Sequence, residues 1–581
     1  MADRYFTDND PNPKYPIYTR ANAGEVMPDP VSPLSCTLGM MAAGDLGWRD
    51  AYIRIGTFRP EELVSDQPVA IGQFGGYLYL NMSCTRLYGV RTPGLTPEMV
   101  DLQYFGDMPG IPPYSQEARP DDEDAECSRK LGEEFIAGYV FGRDDLPELR
   151  KDRDDVDGFI AARPDLSTAT NQQLVQRARD TIPWFRRLFD QHIGVSGASG
   201  VGIGTVAGVC QAIGQPELTM TLIAGVGEVD SAAPSWAMWD MGRMVAGSRS
   251  LTAEFDGGGS GLVERLRSSD SPDVAAFLKA FDEFLDRYGA RGPDEWEFRS
   301  QTWGVRPELP LAAIDRMRLA DESASPVVHA ERSVAEREAA TAAVVSALEG
   351  AGNPEALGQF QAGLRAALLF AAGRERSKTN NVKIVHEARL AMRELGRRMV
   401  EAGHLDSIEQ IFMLTDGELD SYLADPGSFS TRLREREQEY LALFELEPPF
   451  IVAWDVPPLS TWNRRGSSTV EQVGPGTVLT GIPGCAGVAT GRARIITDPS
   501  DPFALEPGDV LIAPVTDPAW TPLFVPAAAV VVDVGAQITH AVIVSREMGI
   551  PCVVSVGDAT KKIPDGAMVT VDGAAGTVTI L

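Results

Sequence analysis

The chain has 581 residues, of which 44% are hydrophobic and 23% charged, and its formal net charge is −30. That length predicts about two to four domains, and the composition is that of ordinary globular proteins. Because the acidic residues are spread along the chain, the charge argues against non-specific binding to nucleic acid or to an anionic membrane surface.

Targeting and redox signals are sparse. The first residues lack the basic and apolar segments of a secretory signal, and we find no uncharged apolar run of the roughly 18 residues that a membrane span needs. The cysteines lie far apart without a CxxC pair, which fits neither a zinc site nor a disulfide framework. We therefore expect reduced thiols, no bound metal and a cytoplasmic location.

The first 130 residues are rich in Pro, Gly and aromatic residues, and the segments YIRIGTFRP and FGGYLYLNMSC predict short strands or irregular structure. From about Gln172 apolar residues recur at i, i+3, i+4 and i+7, which predicts helices. The clearest examples are QQLVQRARDTIPWFRRLFDQHI, PDVAAFLKAFDEFLDRYG, RSVAEREAATAAVVSALEG and the long stretch from Leu357 to Gly403. We expect the middle of the chain to be largely α-helical.

The helical pattern fades after Phe450. Residues 456–475 are rich in Pro, Gly, Ser and Thr, which is typical of a linker. Short β-branched runs follow, bounded by Gly, Pro and Asp, with one helix at about Ala541–Met548. The fold prediction is a multidomain protein: a largely helical region 1–455 with an irregular or β N-terminal part, a flexible linker 456–475, and a small α/β domain 476–581.

The segment GAQITHAVIVSREMGIPCVV carries the strongest functional signal. A strand runs into a turn at Gly535, and Thr539 and His540 then open a helix that Gly549 ends. The imidazole therefore lies at a helix N-terminus, where free N–H groups and the helix dipole favour an anion. Neutral imidazole is also a nucleophile. The alternative is an ordinary His near a helix cap.

Residues Pro475–Leu581 resemble the phosphohistidine domain of the dikinase family, in GCAGVATGRARI, in PGDVLIAPVTDPAWTPLF and in the histidine segment. The resemblance implies that His540 is phosphorylated and that the domain swings between two distant sites. Ala536 and Thr539 depart from the usual Gly and Ser but keep a small residue and a hydroxyl. The loop at Thr516 either flanks the phosphohistidine or packs the domain.

Residues of about 15–450 resemble, less closely, the substrate-binding region of the rifampicin phosphotransferase family, in YTRANAGEVMPDPVSPL, RYGARGPDEWEF and GRERSKTN. Arg374 and Lys378 are four residues apart and share a helix face, with Asn381 and Arg389 within about 60° of it. The resemblance implies an Arg and a Lys of this spacing beside the phosphohistidine. A solvated helix face is the alternative.

Five residues are predicted to contact substrate, each with a structural alternative: Arg389 of the same helix face, Glu25, Arg291, Glu295 and His386. Glu25 is predicted to face the substrate cavity, and Arg291 and Glu295 either belong to the site or form a local ion pair. His386 lies near the cationic face formed by Arg374, Lys378 and Arg389, although a lone His in a helix is more often packed.

Two other features have stronger structural readings. Trp184, Trp236, Trp239, Trp296 and Trp303 either line an apolar pocket or belong to the core. The stretch GVSGASGVGIGTVAG lacks the Lys-Ser/Thr of a P-loop and predicts a close helix contact or a mobile loop rather than a nucleotide site.

We identify no segment matching the ATP-grasp domain of the resembled family, and no pyruvate-utilising barrel. The resemblance then implies that a separate ATP-grasp subunit, with ATP and Mg²⁺, phosphorylates His540. The group would pass to a hydroxyl of a small organic acceptor such as a phenol, an alcohol or an antibiotic. A non-catalytic phospho-dependent regulator is the main alternative, and a self-contained kinase with an unrecognised nucleotide site is another.

Overall fold

The computed structural model describes residues 3–105, 108, 110–115, 119–226, 229–230, 232–322, 325–466, 471–499, 504–516, 520–535 and 539–581, with only the backbone for Thr521 and Pro522. The chain divides into two compact units. The first unit comprises residues 1–199, 294–300 and 376–468, and the second unit comprises residues 200–293, 301–375 and 469–581. The predicted domain boundaries at residues 455 and 475 differ from the boundaries of these two units, and they stay a prediction.

The first unit contains a four-stranded antiparallel sheet of order β2-β3-β1-β4, made by β1 Ile17–Thr19, β2 Ile71–Phe74, β3 Tyr77–Asn81 and β4 Ile451–Ala453. The register pairs Phe74 with Tyr77 and Tyr18 with Asn81. The turn between β2 and β3 is Gly75–Gly76, with φ of 57° and 79°. Only glycine adopts two such conformations easily, which is why this pair closes the hairpin.

The helices of the first unit lie between β1 and β4 in the chain. They are α1 Ala23–Val26, α2 Asp45–Ile55, α3 Met82–Arg91, α4 Pro97–Phe105, α5 Ala125–Arg129, α6 Pro147–Ala161 and α7 Asn171–Arg179, with π-helical segments Ser35–Gly44 and Lys130–Val140. One strand prediction is wrong here. YIRIGTFRP begins in α2, because Tyr52 and Ile55 bury one helical face and Gly56 ends the helix with φ of 93°. FGGYLYLNMSC does form the predicted strand.

Two long helices have residues in both units: α8 Thr181–Ala212 and α16 Pro354–Glu401. The helical periodicity predicted in these stretches is confirmed. The expectation of no long apolar run is wrong, because the helical stretch Asn171–Ala212 holds an 18-residue window of mean hydropathy 1.5. Half of that window is buried in the protein, and core helices of such composition pass the same test of length and apolarity.

The glycine-rich stretch of α8 is a close helix contact rather than a loop. A Cβ on Gly202 would lie 2.5 Å from the backbone nitrogen of Ala367, and a Cβ on Gly363 would lie 2.7 Å from Thr205 Cγ2. The helix α8 and the helix α16 therefore approach backbone to backbone in the second unit.

The second unit adds the helices of the middle region. They are α9 Leu218–Leu222, α10 Ala233–Gly247, α11 Arg249–Asp256, α12 Leu262–Ser268, α13 Pro272–Tyr288, α14 Glu308–Arg318 and α15 Pro326–Gly350. Helices α13 and α15 confirm the predicted repeats. The aromatic rings of Phe277, Phe281 and Phe284 stack along one face of α13. The helices α17 Leu419–Ala424 and α18 Ser430–Leu443 belong to the first unit.

The C-terminal part of the second unit is an eight-stranded mixed sheet of order β5-β12-β11-β7-β8-β9-β10-β6. Its strands are β5 Val478–Thr480, β6 Ile482–Cys485, β7 Val488–Ile495, β8 Val510–Ala513, β9 Ala529–Val532, β10 Cys552–Val554, β11 Met568–Asp572 and β12 Thr577–Ile580. Helices α19 Thr521–Phe524, α20 His540–Met548 and α21 Ala559–Lys562 connect them. We call residues 476–581 the sheet domain. The β-branched runs predicted these strands, and the fold class is confirmed.

The predicted linker 456–475 is partly described, since residues 467–470 lie outside the described residues. Its first half packs against the first unit. Trp462 is buried and a Cβ on Gly75 would meet its ring, while its Nε1 donates to the Pro457 carbonyl at 3.0 Å. All six cysteines are free and buried.

Candidate active site

His540 is the first residue of α20, the helix that follows the buried strand β9 in the chain. Thr539 occupies the N-cap position with extended backbone, φ −84° and ψ 167°. Gly535 lies where a Cβ would be 2.9 Å from Val554 Cβ, so a larger residue would push this turn off the sheet. The predicted departure Ala536 lies outside the described residues. The strand-turn-helix geometry therefore presents the imidazole at a helix N-terminus, as expected.

The imidazole ring is held on two sides. Its Nδ1 lies 3.1 Å from Thr516 Oγ1, and the Phe524 ring meets it edge-on, with centroids 5.8 Å apart and planes at 85°. Thr516 and Phe524 are buried, whereas His540 is half-buried. A buried hydroxyl and a buried ring thus fix the ring orientation of a residue that is itself only half-buried.

Thr539 brings a second hydroxyl to this helix terminus. Its side chain is 5% exposed, makes no capping hydrogen bond, and its Oγ1 has no hydrogen-bond partner among the described residues. The first N–H groups of α20 have no partner within the helix, and the helix dipole makes that end positive. A buried hydroxyl with unused hydrogen-bonding capacity at such a position suits an anionic group, because it could donate to an oxygen of that group.

Asp533, at the end of β9, stabilises the same edge of the sheet. Its carboxylate accepts hydrogen bonds from the Thr560 backbone N–H, at 2.9 Å, and from the Thr560 hydroxyl. Burial raises the pKa of Asp533 to about 6. Neither Asp533 nor Phe524 was singled out in the sequence, since their partners come from distant turns.

Predicted site residues of the first unit form a buried polar cluster: Lys378, predicted beside the phosphohistidine, and Glu295, His386 and Arg389, predicted to contact substrate. Lys378 Nζ lies 3.0 Å from Glu295 Oε1, and both side chains are largely buried. Arg389 is fully buried and donates from Nη2 to the carbonyls of Glu295 and Glu297, at 2.7 and 2.8 Å. Burial lowers the pKa of Arg389 to about 10. Arg389 therefore anchors the backbone that presents Glu295.

His386 belongs to the same cluster. Its Nδ1 lies 3.0 Å from Arg389 Nη1. Burial, and then the positive charges of Arg389, Arg163 and Arg393, hold the pKa of His386 well below its usual range. The ring is therefore neutral near pH 7, which suits a packed residue that accepts a hydrogen bond from Arg389.

The remaining predicted residues lie elsewhere in their units. Arg374 Nη1 is 2.5 Å from Glu375 Oε1 in the second unit. The backbone of Arg291 shapes a turn, because its N–H donates to Tyr288 and its carbonyl accepts from Trp303 N–H at 2.9 Å. Glu25 lies in α1 beside Tyr104, where burial and then the Glu25 charge raise the pKa of Tyr104 to about 12.

The tryptophans that sequence analysis left open divide between core and partial burial. Trp239, Trp296 and Trp303 are 3–4% exposed, and Trp303 packs on Phe284. Trp296 contacts Phe185 and Phe189. No group of three or more His, Cys, Asp or Glu side chains within the described part of the chain is placed to hold a metal ion.

Comparison with known proteins agrees with this geometry. Residues 191–375 match the family model of the rifampicin phosphotransferase fourth domain, and residues 505–576 match that of the PEP-utilising enzyme mobile domain. Two parts of the chain are therefore similar to dikinase-family proteins: the middle region to rifampicin phosphotransferases, and the part that contains His540 to the mobile domain of PEP-utilising enzymes.

Individual relatives are similar over different lengths. The chain is 27% identical to an uncharacterized protein of Mycobacterium tuberculosis over 98% of the chain and 62% of that protein. It is 30% identical to a rifampicin phosphotransferase of Streptomyces sviceus over 52% of the chain and 34% of that protein. The phosphoenolpyruvate synthase of Aeropyrum pernix is 42% identical over 25% of the chain and 19% of its own length. The chain thus spans less than two thirds of these relatives.

Proposed function

We propose that the chain is a component of an ATP-dependent phosphotransferase in which His540 carries the phosphoryl group. The observation that carries the proposal is the position of His540 at the N-terminus of α20, with Thr516 Oγ1 3.1 Å from its Nδ1 and the buried Thr539 hydroxyl beside it. The match of residues 505–576 to the mobile domain of PEP-utilising enzymes supports it.

The contact with Thr516 supports Nε2 as the nucleophilic nitrogen. When Nδ1 carries the proton and donates to Thr516 Oγ1, the lone pair resides on Nε2. Nε2 then attacks a phosphorus atom of the nucleotide, a new N–P bond forms, and the P–O bond to the nucleotide breaks. The proton stays on Nδ1, where Thr516 Oγ1 accepts its hydrogen bond, so the imidazole stays in the tautomer that the reaction needs.

Transfer to the acceptor breaks the N–P bond that the first step formed. A hydroxyl oxygen of the acceptor attacks the phosphorus, the N–P bond breaks, and the pair of electrons returns to Nε2. The hydroxyl proton leaves to solvent or to a base near the acceptor. While the group resides on His540, the helix N-terminus and the Thr539 hydroxyl stabilise its negative oxygens.

The proposal assigns the two half-reactions to different places. A separate ATP-grasp subunit in the cytoplasm would bind ATP and Mg²⁺ and charge His540. The acceptor is a small organic molecule with a hydroxyl, such as a phenol, an alcohol or an antibiotic. The similarity of residues 191–375 to a rifampicin phosphotransferase domain supports an acceptor of this kind. Lys378 and Glu295, paired at 3.0 Å, are the first residues to test for contact with it.

The test uses the full chain, an ATP-grasp protein and ATP labelled at the β or the γ phosphate in separate reactions. We expect acid-labile, alkali-stable label on the chain, lost in His540→Ala and retained in the control His404→Ala. His404 is a half-buried residue just beyond α16 and distant in sequence from the site. Label that persists in His540→Ala would refute the carrier role. Charged chain that releases its phosphate to no hydroxyl acceptor would instead favour a phospho-dependent regulator.

A further inference from the structure

The helix α20 carries His540 at its first turn, and its last turn packs against helices of the middle region within the second unit. The Ser333 hydroxyl of α15 donates to the Arg546 carbonyl at 3.4 Å, and Arg332 Nη2 of the same helix donates to the Gly549 carbonyl at 3.2 Å. Gly549 adopts φ of 61°, and a Cβ there would lie 2.6 Å from Arg332 Nη2. The end of α20 thus fits closely against α15.

Arg546 extends this contact to α9. Its guanidinium is buried, and it donates from Nε to the Gly484 carbonyl at 2.9 Å and from Nη2 to Met220 Sδ at 3.1 Å. Gly484 lies in β6 of the sheet domain, and Met220 lies in α9. Burial lowers the pKa of Arg546 to about 10, so the side chain stays charged near pH 7. One arginine therefore bridges the sheet domain and a helix of the middle region.

Glu547 contacts the segment after α9. The Val226 backbone N–H donates to Glu547 Oε1 at 3.3 Å, and the glutamate is 6% exposed. Arg337 of α15 holds this segment by donating to the carbonyls of Ala224, at 2.9 Å, and Gly225. Gly225 has φ of 59°, and a Cβ there would lie 2.9 Å from the backbone of Ser333. The segment that receives Glu547 is therefore pressed against α15.

The charges around Glu547 partly oppose each other. Arg337 of α15 and Arg546 of α20 favour its carboxylate, and Glu375 of α16 disfavours it. The other ionisable groups on elements packed against α20 are His329, Glu331, Arg332, Glu336, Glu338 and Glu349 of α15, Cys485 of β6 and Cys552 of β10. Burial is the largest effect and raises the pKa of Glu547 to about 7. Protonated and charged forms are therefore both populated near neutral pH.

We propose that the last turn of α20, formed by Arg546, Glu547 and Gly549, is a docking element that holds the sheet domain against α15 and residues 220–226, and that protonation of Glu547 strengthens this docking. The proposal rests on the proposed function, because a domain that carries a phosphoryl group between two sites must detach from the contact that holds it at rest. The same helix then presents His540 at one end and the docking element at the other.

The direction of the pH dependence follows from the two states of Glu547. In the docked arrangement its pKa is about 7, and on release into solvent it returns towards the ordinary 4.5. The docked state therefore binds the proton more tightly, so docking is strongest below about pH 4.5 and weakens as pH rises through 7. Between pH 5 and pH 7 the undocking equilibrium constant rises by roughly 40-fold on this basis.

The experiment measures docking without any phosphoryl chemistry. Val327→Cys in α15 and Met568→Cys in β11 introduce two exposed positions for nitroxide labels in the full chain, one on each side of the contact. Pulsed electron–electron double resonance then gives the distribution of distances between the two labels, at a series of pH values from 5 to 8. We expect one distance at pH 5 and a growing second, longer population towards pH 8.

Three variants of the labelled chain make the test specific. Glu547→Gln keeps a neutral acceptor for Val226 N–H, so it should remain docked at every pH. Glu338→Gln, at an exposed position of α15, should behave like the parent. Arg332→Ala removes a contact to Gly549 and should enlarge the undocked population at every pH, while the fold-change of the undocking equilibrium constant between pH 5 and pH 7 stays that of the parent. A pH-independent parent, or a Glu547→Gln variant that still opens with pH, overturns the proposal.

The outcome is separable from that of the carrier hypothesis. His540→Ala in the labelled chain should show the same pH response as the parent, since His540 is the first residue of α20 and the docking element is its last turn. If the pH response persists while His540 never accepts label from ATP, the docking element stands and the carrier role fails. If His540 is charged normally while the distances never change with pH, the docking element fails alone.

Discussion

Thr516 and His540 come from different turns of the sheet domain and meet through Oγ1 and Nδ1 at 3.1 Å. Thr516 follows β8, whereas His540 opens α20 after β9. Parallel strands β8 and β9 are neighbours in the sheet, so their C-terminal ends bring the two turns together. The position of the nucleophile is therefore a property of the sheet topology as well as of the histidine segment.

Replacing Thr516 by Val should disorient the imidazole without emptying the site. Valine keeps the volume but cannot accept the Nδ1 proton, so the productive tautomer is no longer fixed. We expect the rate of His540 phosphorylation to fall by about 10-fold or more. Thr516→Ser keeps the hydroxyl and should remain within a few-fold of the parent. Rapid-quench measurement of phosphohistidine separates them, and equal rates for Val and Ser would contradict the orienting role.

The Thr539→Val substitution should have opposite effects on the two states of the site. The Thr539 hydroxyl is buried without a partner among the described residues, so its removal should leave the uncharged protein as stable or up to about 1 kcal/mol more stable. The phosphorylated form would lose a charge-assisted hydrogen bond, which should shift the charging equilibrium by about 10-fold or more. Thermal unfolding and the equilibrium level of phosphohistidine are the two readouts, with Thr539→Ser as control. A destabilised uncharged Val variant would contradict the idea.

Lys378→Met should destabilise the chain, because it removes the cation that lies 3.0 Å from the buried Glu295 carboxylate. We expect a loss of about 3 kcal/mol in the free energy of unfolding. The double variant Lys378→Met, Glu295→Gln should recover most of this loss. If the pair acts on the acceptor, that stable double variant will still charge His540 but will transfer the group more slowly. Unchanged transfer would assign the pair a structural role only.

Gly202→Ala tests the contact between α8 and α16. Its Cβ would lie 2.5 Å from the Ala367 backbone nitrogen, so the helices would have to separate, at a cost of about 1–3 kcal/mol. Gly208→Ala is the matched control in the same helix, where a Cβ meets nothing within 4 Å. That change should stabilise the helix by about 0.5–1 kcal/mol. Urea unfolding followed by far-ultraviolet circular dichroism should give opposite signs, and equal effects would contradict the contact.

The sequence correctly predicted those elements whose apolar or β-branched residues keep a single period over a long enough stretch. The helices α13 and α16 and the strands of the sheet domain are of this kind. YIRIGTFRP misled because alternating Ile53 and Ile55 look like a strand, whereas the buried pair Tyr52 and Ile55 follows the helical period. Short windows support both readings until tertiary packing selects one.

The site was predictable only in its local part. His540, Thr539 and Gly535 follow one another in a strand-turn-helix pattern that a single sequence reveals. Phe524 and Glu547 gave no signal, because their roles depend on contacts with residues far away in the sequence. The pair Lys378 and Glu295 was named through two separate motifs, yet nothing in the sequence indicated that they meet.

The burial of all six cysteines makes their alkylation depend on opening of the fold. The thiolate is the reactive form, and burial raises the pKa of Cys36 and Cys84 in the first unit and, to about 12, that of Cys485 and Cys552 in the second. An alkylating reagent can therefore modify each thiol only when its surroundings open. Mass spectrometry of the alkylated peptides would time the opening of each unit separately, in the native chain and without any added label.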